Sequence, residues 1–318
     1  MKPVTKGFLI AAAVLILAGA LLYVGVMAKN HWDFAALGKG DYETNTYPIT
    51  EDFRSISIRS DTENIAFRPS EDGSCRVEIL EREGKPHGVA VKDGVLCIEE
   101  PEEKWSFFSL SFAEPKITVC LPEGEYAELF IEESTGKIDV PADFRFDSIS
   151  LTASTGDVSC RASAAGTISI DTDTGDIRVE DLRAETLRLT VTTGRVEVRS
   201  VSCEGTVEVL VSTGKTELTD VSCGSLISDG GTGDLTMKNL IAAETVAISR
   251  GTGDVRFEAC DAGELEIATD TGDVTGTLLT GKVFLVRSDT GRIKVPETTA
   301  GGKCKVTTNT GDIDIRNN

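Results

Sequence analysis

A Thr-Gly pair recurs ten times at intervals of nineteen or twenty residues, with its glycines at Gly136, Gly156, Gly175, Gly194, Gly214, Gly233, Gly253, Gly272, Gly291 and Gly311. A fixed period of that size is the signature of a solenoid, in which each unit stacks on the next because none buries its apolar face alone. Counted from its glycine, a typical repeat carries apolar residues seven and five positions earlier, such as Leu129 and Ile131, Ile168 and Ile170, or Leu265 and Ile267. Two and four positions after the glycine stand further apolar pairs, such as Ile138 and Val140, Ile177 and Val179, or Ile313 and Ile315. Ser228 breaks the first series. Alternation with β-branched residues on both sides of a turn predicts two short strands per repeat. Thr, Val, Ile and Gly also fill positions where a helix would favour Ala, Leu and Glu. The expected fold is an all-β, single-stranded β-solenoid of about ten coils of 19–20 residues, over residues 126–318. Its coils would lie roughly 4.8 Å apart, and the general handedness of parallel crossovers favours a right-handed winding.

The flanks differ from the repeat. Residues 7–28 are twenty-two consecutive uncharged, mostly apolar positions, and a helix of that length spans roughly 33 Å, enough for a bilayer core. Lys2, Lys6 and the terminal amine precede this span, whereas Asp33, Asp41 and Glu43 follow it. The expectation is therefore a cytoplasmic N-terminus at residues 1–6, a single transmembrane anchor at 7–28, a tether at 29–48 and an extracytoplasmic repeat domain. The alternative is a cleaved signal peptide, for which Val26 and Ala28 offer small residues at the cleavage spacing, although its apolar region normally runs only about 7–15 residues. Residues 49–125 are expected to form the N-terminal cap that a solenoid needs over its first open edge. Within them Phe53 to Phe67 forms a degenerate coil whose Asp61-Thr62-Glu63-Asn64 replaces the Thr-Gly turn, followed by strands at Arg76–Leu80, Val95–Ile98 and Lys116–Leu121. The last coil, opened by Gly311, is left to end the rod with only Asp314, Arg316 and two asparagines to blunt it.

The chain carries a net charge of −20, which excludes nucleic acid as a partner because backbone binding needs a basic stripe. The Thr-Gly turn is first a structural corner, with glycine supplying a backbone conformation that other residues avoid. Asp173-Thr174-Gly175, Asp270-Thr271-Gly272 and Asp289-Thr290-Gly291 match the triplet of aspartic proteases, but they sit on corners where Ser154, Thr192 or Gly231 replace the aspartate. Two such carboxylates cannot share a proton unless they face each other. Asp234, Asp254 and Asp273 share one register in successive coils and are the candidates if any calcium binds; with Arg195, Lys215 and Arg292 interrupting that register, no metal and no cofactor is expected. Cys160, Cys203, Cys223, Cys260 and Cys304 fall in inward registers and are expected to be free core residues. After His87 there is no histidine, and after Tyr126 no Tyr or Trp, so the rod lacks imidazole chemistry and sugar-stacking platforms, and no enzyme is expected. The segment Glu99–Phe112 gathers Trp105, Phe107, Phe108, Leu110 and Phe112 behind an acidic run. This set either covers the first coil or forms a partner-binding patch.

The anchor, the degenerate first coil, the strand with Ile117, Val119, Leu121 and Pro122, and the serial Ser/Asp-Thr-Gly-Asp coils resemble the bacterial "putative adhesin" domain family over residues 49–318. The resemblance implies a membrane-associated β-solenoid of the cell envelope, often encoded near envelope-stress regulators, and carries over no binding residues. The expected function is a non-enzymatic, adhesin-like binding or scaffold module tethered to the membrane. The alternatives are an accessory protein of envelope-stress signalling that contacts a membrane sensor, or a bactofilin-like filament assembled end to end.

Overall fold

The computed structural model describes residues 3–29, 42–100 and 114–317. Its one helix, α1 (Pro3–Lys29), leaves Leu15, Ile16, Leu17, Leu21 and Leu22 exposed. Among the described residues no helix is long and apolar enough to cross a membrane. The structure bears out the helix and not the crossing, which rests on the sequence of residues 7–28 alone.

The other described residues are mainly β-structure, most of it wound as a solenoid of about ten turns, as the period predicts. Successive coils pair in parallel with the shift of one period: Thr135, Thr155, Thr174, Thr193, Thr213, Thr232, Thr252 and Thr271 are register neighbours in turn. The two alternating sets point inward. Ile131, Ile168, Leu189, Val209, Val255 and Ile313 are at most 1% exposed, and with their equivalents they make one continuous core. The corner glycines are needed for closeness as well as conformation. At Gly194, φ is +154° and an added Cβ would lie 1.9 Å from the carbonyl oxygen of Gly175 in the coil below. A second corner, six positions after the glycine, holds Asp181, Ser200, Asp220, Asn239 and Ala259 at φ of 51–55°.

The cap consists of β1 (Tyr42–Ile49), β2 (Ser55–Ser60), β3 (Asn64–Pro69), β4 (Cys75–Arg82), β5 (Gly88–Lys92), β6 (Val95–Glu99) and β7 (Lys116–Leu121). β2 and β3 form the degenerate coil expected at Phe53–Phe67, pairing in parallel with strands of the first Thr-Gly coil. β6 and β7 stack on β2 and β3, also in parallel. The winding then reverses: β5 joins β6 antiparallel, β4 joins β7 antiparallel and β1 joins β4 antiparallel. β1 begins inside the segment read as a tether, because its partner β4 is distant in sequence and its own alternation is weak.

The C-terminal end departs from the expected order. The strand Gly302–Thr310 pairs on one side with residues 265–271 and on the other with residues 282–290. Ile313–Asn317 likewise lies between Val274–Leu278 and Ile293–Lys294. The final coil in sequence is thus next to last in space, and the coil of Gly291 ends the rod.

Candidate functional site

The densest chemistry lies in the cap, where the turns around Glu63 and His87 meet the first Thr-Gly coil. Glu133 occupies the inward position three before Gly136, directly beside Ser60 of β2. Glu63 enters from the turn between β2 and β3, Glu81 from the end of β4, and His87 from the loop before β5. All four are buried, none more than 7% exposed. The His87 Nδ1 and backbone N–H both lie 2.6 Å from Glu81 Oε2. Asn45 donates to Glu81 Oε1 at 2.8 Å, and the Tyr47 hydroxyl donates to the same oxygen. His87 Nε2 faces Glu63 Oε1 at 3.6 Å, an ion-pair distance too long for a hydrogen bond. Glu63 Oε2 accepts from Ser60 Oγ at 2.7 Å and from the Thr62 N–H at 3.0 Å. Glu133 Oε1 accepts from the Thr135 N–H at 3.1 Å, while its Oε2 is buried without a partner.

These contacts divide the charges. Burial works against the charge on His87, but the carboxylates of Glu63 and Glu81 outweigh it and hold the imidazole pKa above its ordinary value. Burial also opposes charge on Glu63, yet the facing imidazole of His87 and hydrogen bonds from Ser60 and Thr62 bring it down to about 2. Glu133 goes the other way: burial, helped by the charges of Glu63 and Asp61, pushes it up to about 7. Glu100 is raised to about 7 by burial and the same two carboxylates. The imidazole is closed off by its own partners, so the cluster is a buried, proton-sensitive clasp holding β1, β4 and the first coils together. Sequence alone missed it because the contributing segments are irregular; His87 was its only signal.

Trp105, Phe107, Phe108, Leu110 and Phe112, the partner candidates, lie outside the described residues. The flanking residues are fixed at the same corner: Glu100 N–H donates to Arg59 O at 3.3 Å, and Asn64 N–H donates to Pro115 O at 2.9 Å. Beside them runs a shallow groove of about 390 Å³ lined by Arg59, Asp61, Glu99, Glu100, Glu132 and Ser134.

The structure does bring Asp234, Asp254 and Asp273 into one file, and gives their carboxylates partners. Asp234 Oδ1 accepts from the Asp254 N–H at 3.0 Å, Asp254 Oδ1 from the Asp273 N–H at 2.8 Å, and Asp273 Oδ1 from the Asp312 N–H at 2.7 Å. Arg195 and Arg292 donate the same bond from their backbone N–H, to Asp176 Oδ1 and Asp312 Oδ1. The aspartate staples one corner to the next, whatever residue follows. Among the described residues no three His, Cys, Asp or Glu side chains converge as a metal would require. All eight cysteines are free, and burial pushes the Cys160 and Cys223 thiols up to about 12.

A family model for Toastrack domains, DUF4097, matches residues 53–210 and again 205–318. The chain belongs to the Toastrack DUF4097 family. The two matches divide this Toastrack rod near Val209 and together span the degenerate coil and every Thr-Gly coil. No curated protein matches the sequence. Among solved structures it is similar to a "putative adhesin" from Parabacteroides distasonis, at 14% identity and a TM-score of 0.49, over 75% of this chain and 98% of that one. A "putative adhesin" from Bacteroides fragilis shares 16% identity, with a TM-score of 0.40, over 88% of this chain and 99% of that one. A "putative lipid binding protein" from Parabacteroides distasonis shares 16% identity, with a TM-score of 0.44, over 75% and 98% of the respective chains.

Proposed function

We propose that this Toastrack protein is a non-enzymatic, membrane-tethered binding or scaffold module on the outer face of a bacterial membrane. The observation that carries the reading is the contrast between its two parts. α1 displays Leu15, Ile16, Leu17, Leu21 and Leu22 to its surroundings on consecutive, hence differently facing, positions, as a helix surrounded by lipid would. The rod, in turn, commits its repeated side chains to stacking: inward residues to the core and corner aspartates to the next backbone. Such a rod holds whatever it carries at a fixed height along its own stack of coils. External protease added to intact spheroplasts should degrade the rod and leave a short membrane-bound fragment; a rod protected until lysis reverses the topology and defeats the proposal.

The aromatic segment is the proposed contact for an envelope protein, including a stress sensor. On this reading Trp105→Ala with Phe108→Ala should abolish partner crosslinking in cells while leaving the melting temperature unchanged, since aromatics that serve a contact contribute binding rather than core. Lost stability with crosslinking intact in the folded fraction would assign them to the cap.

End-to-end assembly has one specific observation in its favour. Among the described residues, 282–290 pair on one side only, and Leu285 and Ile293 of that coil are 53% and 45% exposed. That coil, residues 282–297, has four basic and two acidic side chains, against seven basic and thirteen acidic in residues 42–100. Opposite charge at the two ends favours head-to-tail contact. Sedimentation at low and high salt tests it: salt-sensitive oligomers support the contact, and a monomer at both rules it out.

A further inference from the structure

On one flank of the rod, Glu125, Arg145 and Ser163 are successive register neighbours. Arg183 comes next, its backbone N–H donating to Ser163 Oγ at 3.0 Å. With coils roughly 4.8 Å apart, the two arginines flank the small serine at roughly 10 Å from each other. Arg161 reaches the same depression from the opposite side of the corner, and Phe146, Ala164 and Ala165 help to line it. The result is a groove of about 480 Å³. Among the described residues, Arg145 and Arg183 have no side-chain hydrogen bond or ion pair, and Arg161 has only a 3.9 Å contact with Asp139.

We propose that this groove binds a sugar phosphate or polyol phosphate. Two guanidiniums in file on either side of a small serine, lining one groove, suit a tetrahedral oxyanion, which accepts hydrogen bonds from each. Ser163 Oγ accepts from the backbone of the next coil, which leaves its O–H to donate into the groove. The remaining lining selects the rest of the ligand. Glu125, Asp147 and Asp181 share the groove with the arginines; they oppose a bare anion but accept hydrogen bonds from hydroxyl groups. A phosphate carried on a polyol satisfies both sets, and it needs no aromatic platform. The net charge of −20 repels such a ligand at a distance. That repulsion is screened over about 8 Å at physiological ionic strength, so the local guanidiniums decide binding. The site is built from rod residues alone and uses none of the aromatic segment or of α1, so its failure would leave the tethered-module reading standing.

The test is calorimetric titration of the detergent-solubilised full chain with glycerol 1-phosphate, inorganic phosphate and glycerol. Glycerol 1-phosphate should bind saturably and roughly tenfold more tightly than inorganic phosphate, with glycerol not detected. Arg145→Ala with Arg183→Ala should weaken it by roughly tenfold or more at an unchanged melting temperature. Should that variant fold poorly, Arg145→Lys with Arg183→Lys keeps the charge and should still lose most of the affinity, because an ammonium cannot form the fork. Asp147→Asn with Asp181→Asn should shrink the preference for the ester over inorganic phosphate. No saturable binding in the millimolar range, equal affinity in the arginine variants, or inorganic phosphate binding as well as the ester would each overturn the proposal.

Discussion

Thr310 lies beside Thr271, and Thr290 lies beyond Thr310. The backbone records the same order: Gly272 N–H donates to Thr310 O at 2.9 Å, and Gly311 N–H donates to Thr290 O at 3.0 Å. The chain therefore climbs two levels after the Gly272 coil and drops back one to finish inside the stack. Burial agrees with this placement. Cys304, Val306, Ile313 and Ile315 of the last coil are at most 1% exposed, whereas Leu285 and Ile293 of the outer coil are about half exposed.

Oxidation of paired cysteines distinguishes the two orders. Thr271→Cys with Thr310→Cys places the Cα atoms roughly 5 Å apart, within disulfide range, while Thr271→Cys with Thr290→Cys separates them by roughly 10 Å. The first pair should crosslink and the second should not, as read by mass spectrometry of unreduced peptides. The native cysteines add little background, since seven of the eight are buried. A crosslink in the second pair alone would restore sequential stacking.

Ala259 is the weak member of the second corner. Its φ of 51° matches that of Asp181, Ser200, Asp220 and Asn239, but it lacks the polar side chain that eases a left-handed backbone. In the same column, Asn239 Nδ2 donates to Asp220 Oδ1 at 2.8 Å. Ala259→Asn should therefore stabilise the rod by about 1 kcal/mol, through relief of the backbone and one more side-chain link. Thermal unfolding measures this, and a lowered melting temperature would contradict the corner assignment.

What the sequence made legible was whatever every coil repeats. The two alternating strands, the Thr-Gly corner and the inward cysteines all follow from a single period. Residues that vary at a fixed position hid the second corner: Asp181, Ser200 and Ala259 look unrelated until their φ angles are known. Coil order was hidden for the opposite reason, since Thr290 and Thr310 head near-equivalent coils and the period cannot rank them. The aspartate file was visible, but its role was not, because the acceptor is a side chain and the donor is the backbone of any following residue, even Arg195. The cap clasp draws on β1 and the His87 loop, which carry no repeat at all.

The Ser228 exception has a physical cause one coil away. Arg250 is 4% exposed and extends over Gly230, where a Cβ would lie 1.9 Å from its Nη1. Its Nη2 donates to Ser228 Oγ at 2.7 Å and to Thr216 Oγ1 at 3.4 Å, while its Nε has no partner. Burial holds its pKa below the ordinary guanidinium value. A buried cation with only neutral acceptors is poorly compensated. Arg250→Met, which keeps much of the volume and removes the charge, should gain about 1–4 kcal/mol. Ser228→Ala, which removes the best acceptor, should instead cost about 1–3 kcal/mol. Denaturant unfolding of both variants checks the pair, and a destabilised Arg250→Met would mean that the guanidinium is better satisfied than its contacts indicate.

The cap clasp sets how stability depends on pH. Glu63, at about 2, and Glu81, also lowered, contribute stability above roughly pH 4.5 that is lost as pH falls toward their folded values. His87 has a raised pKa, so its contribution is full below roughly pH 6.5 and fades as pH climbs through the folded value. Glu133 and Glu100, both at about 7, bind their protons more tightly folded than unfolded, so each costs stability as pH rises from roughly 4.5 to about 7. The two sets oppose each other, and the melting temperature should peak near pH 5. Glu133→Gln isolates the alkaline limb. A glutamine retains an acceptor for the Thr135 N–H and carries no charge, so it imitates the protonated acid that the fold prefers. The variant should melt higher than the parent at pH 8 and nearly level with it at pH 5. Melting curves with the same offset at both values would show that Glu133 is already ionised at no cost.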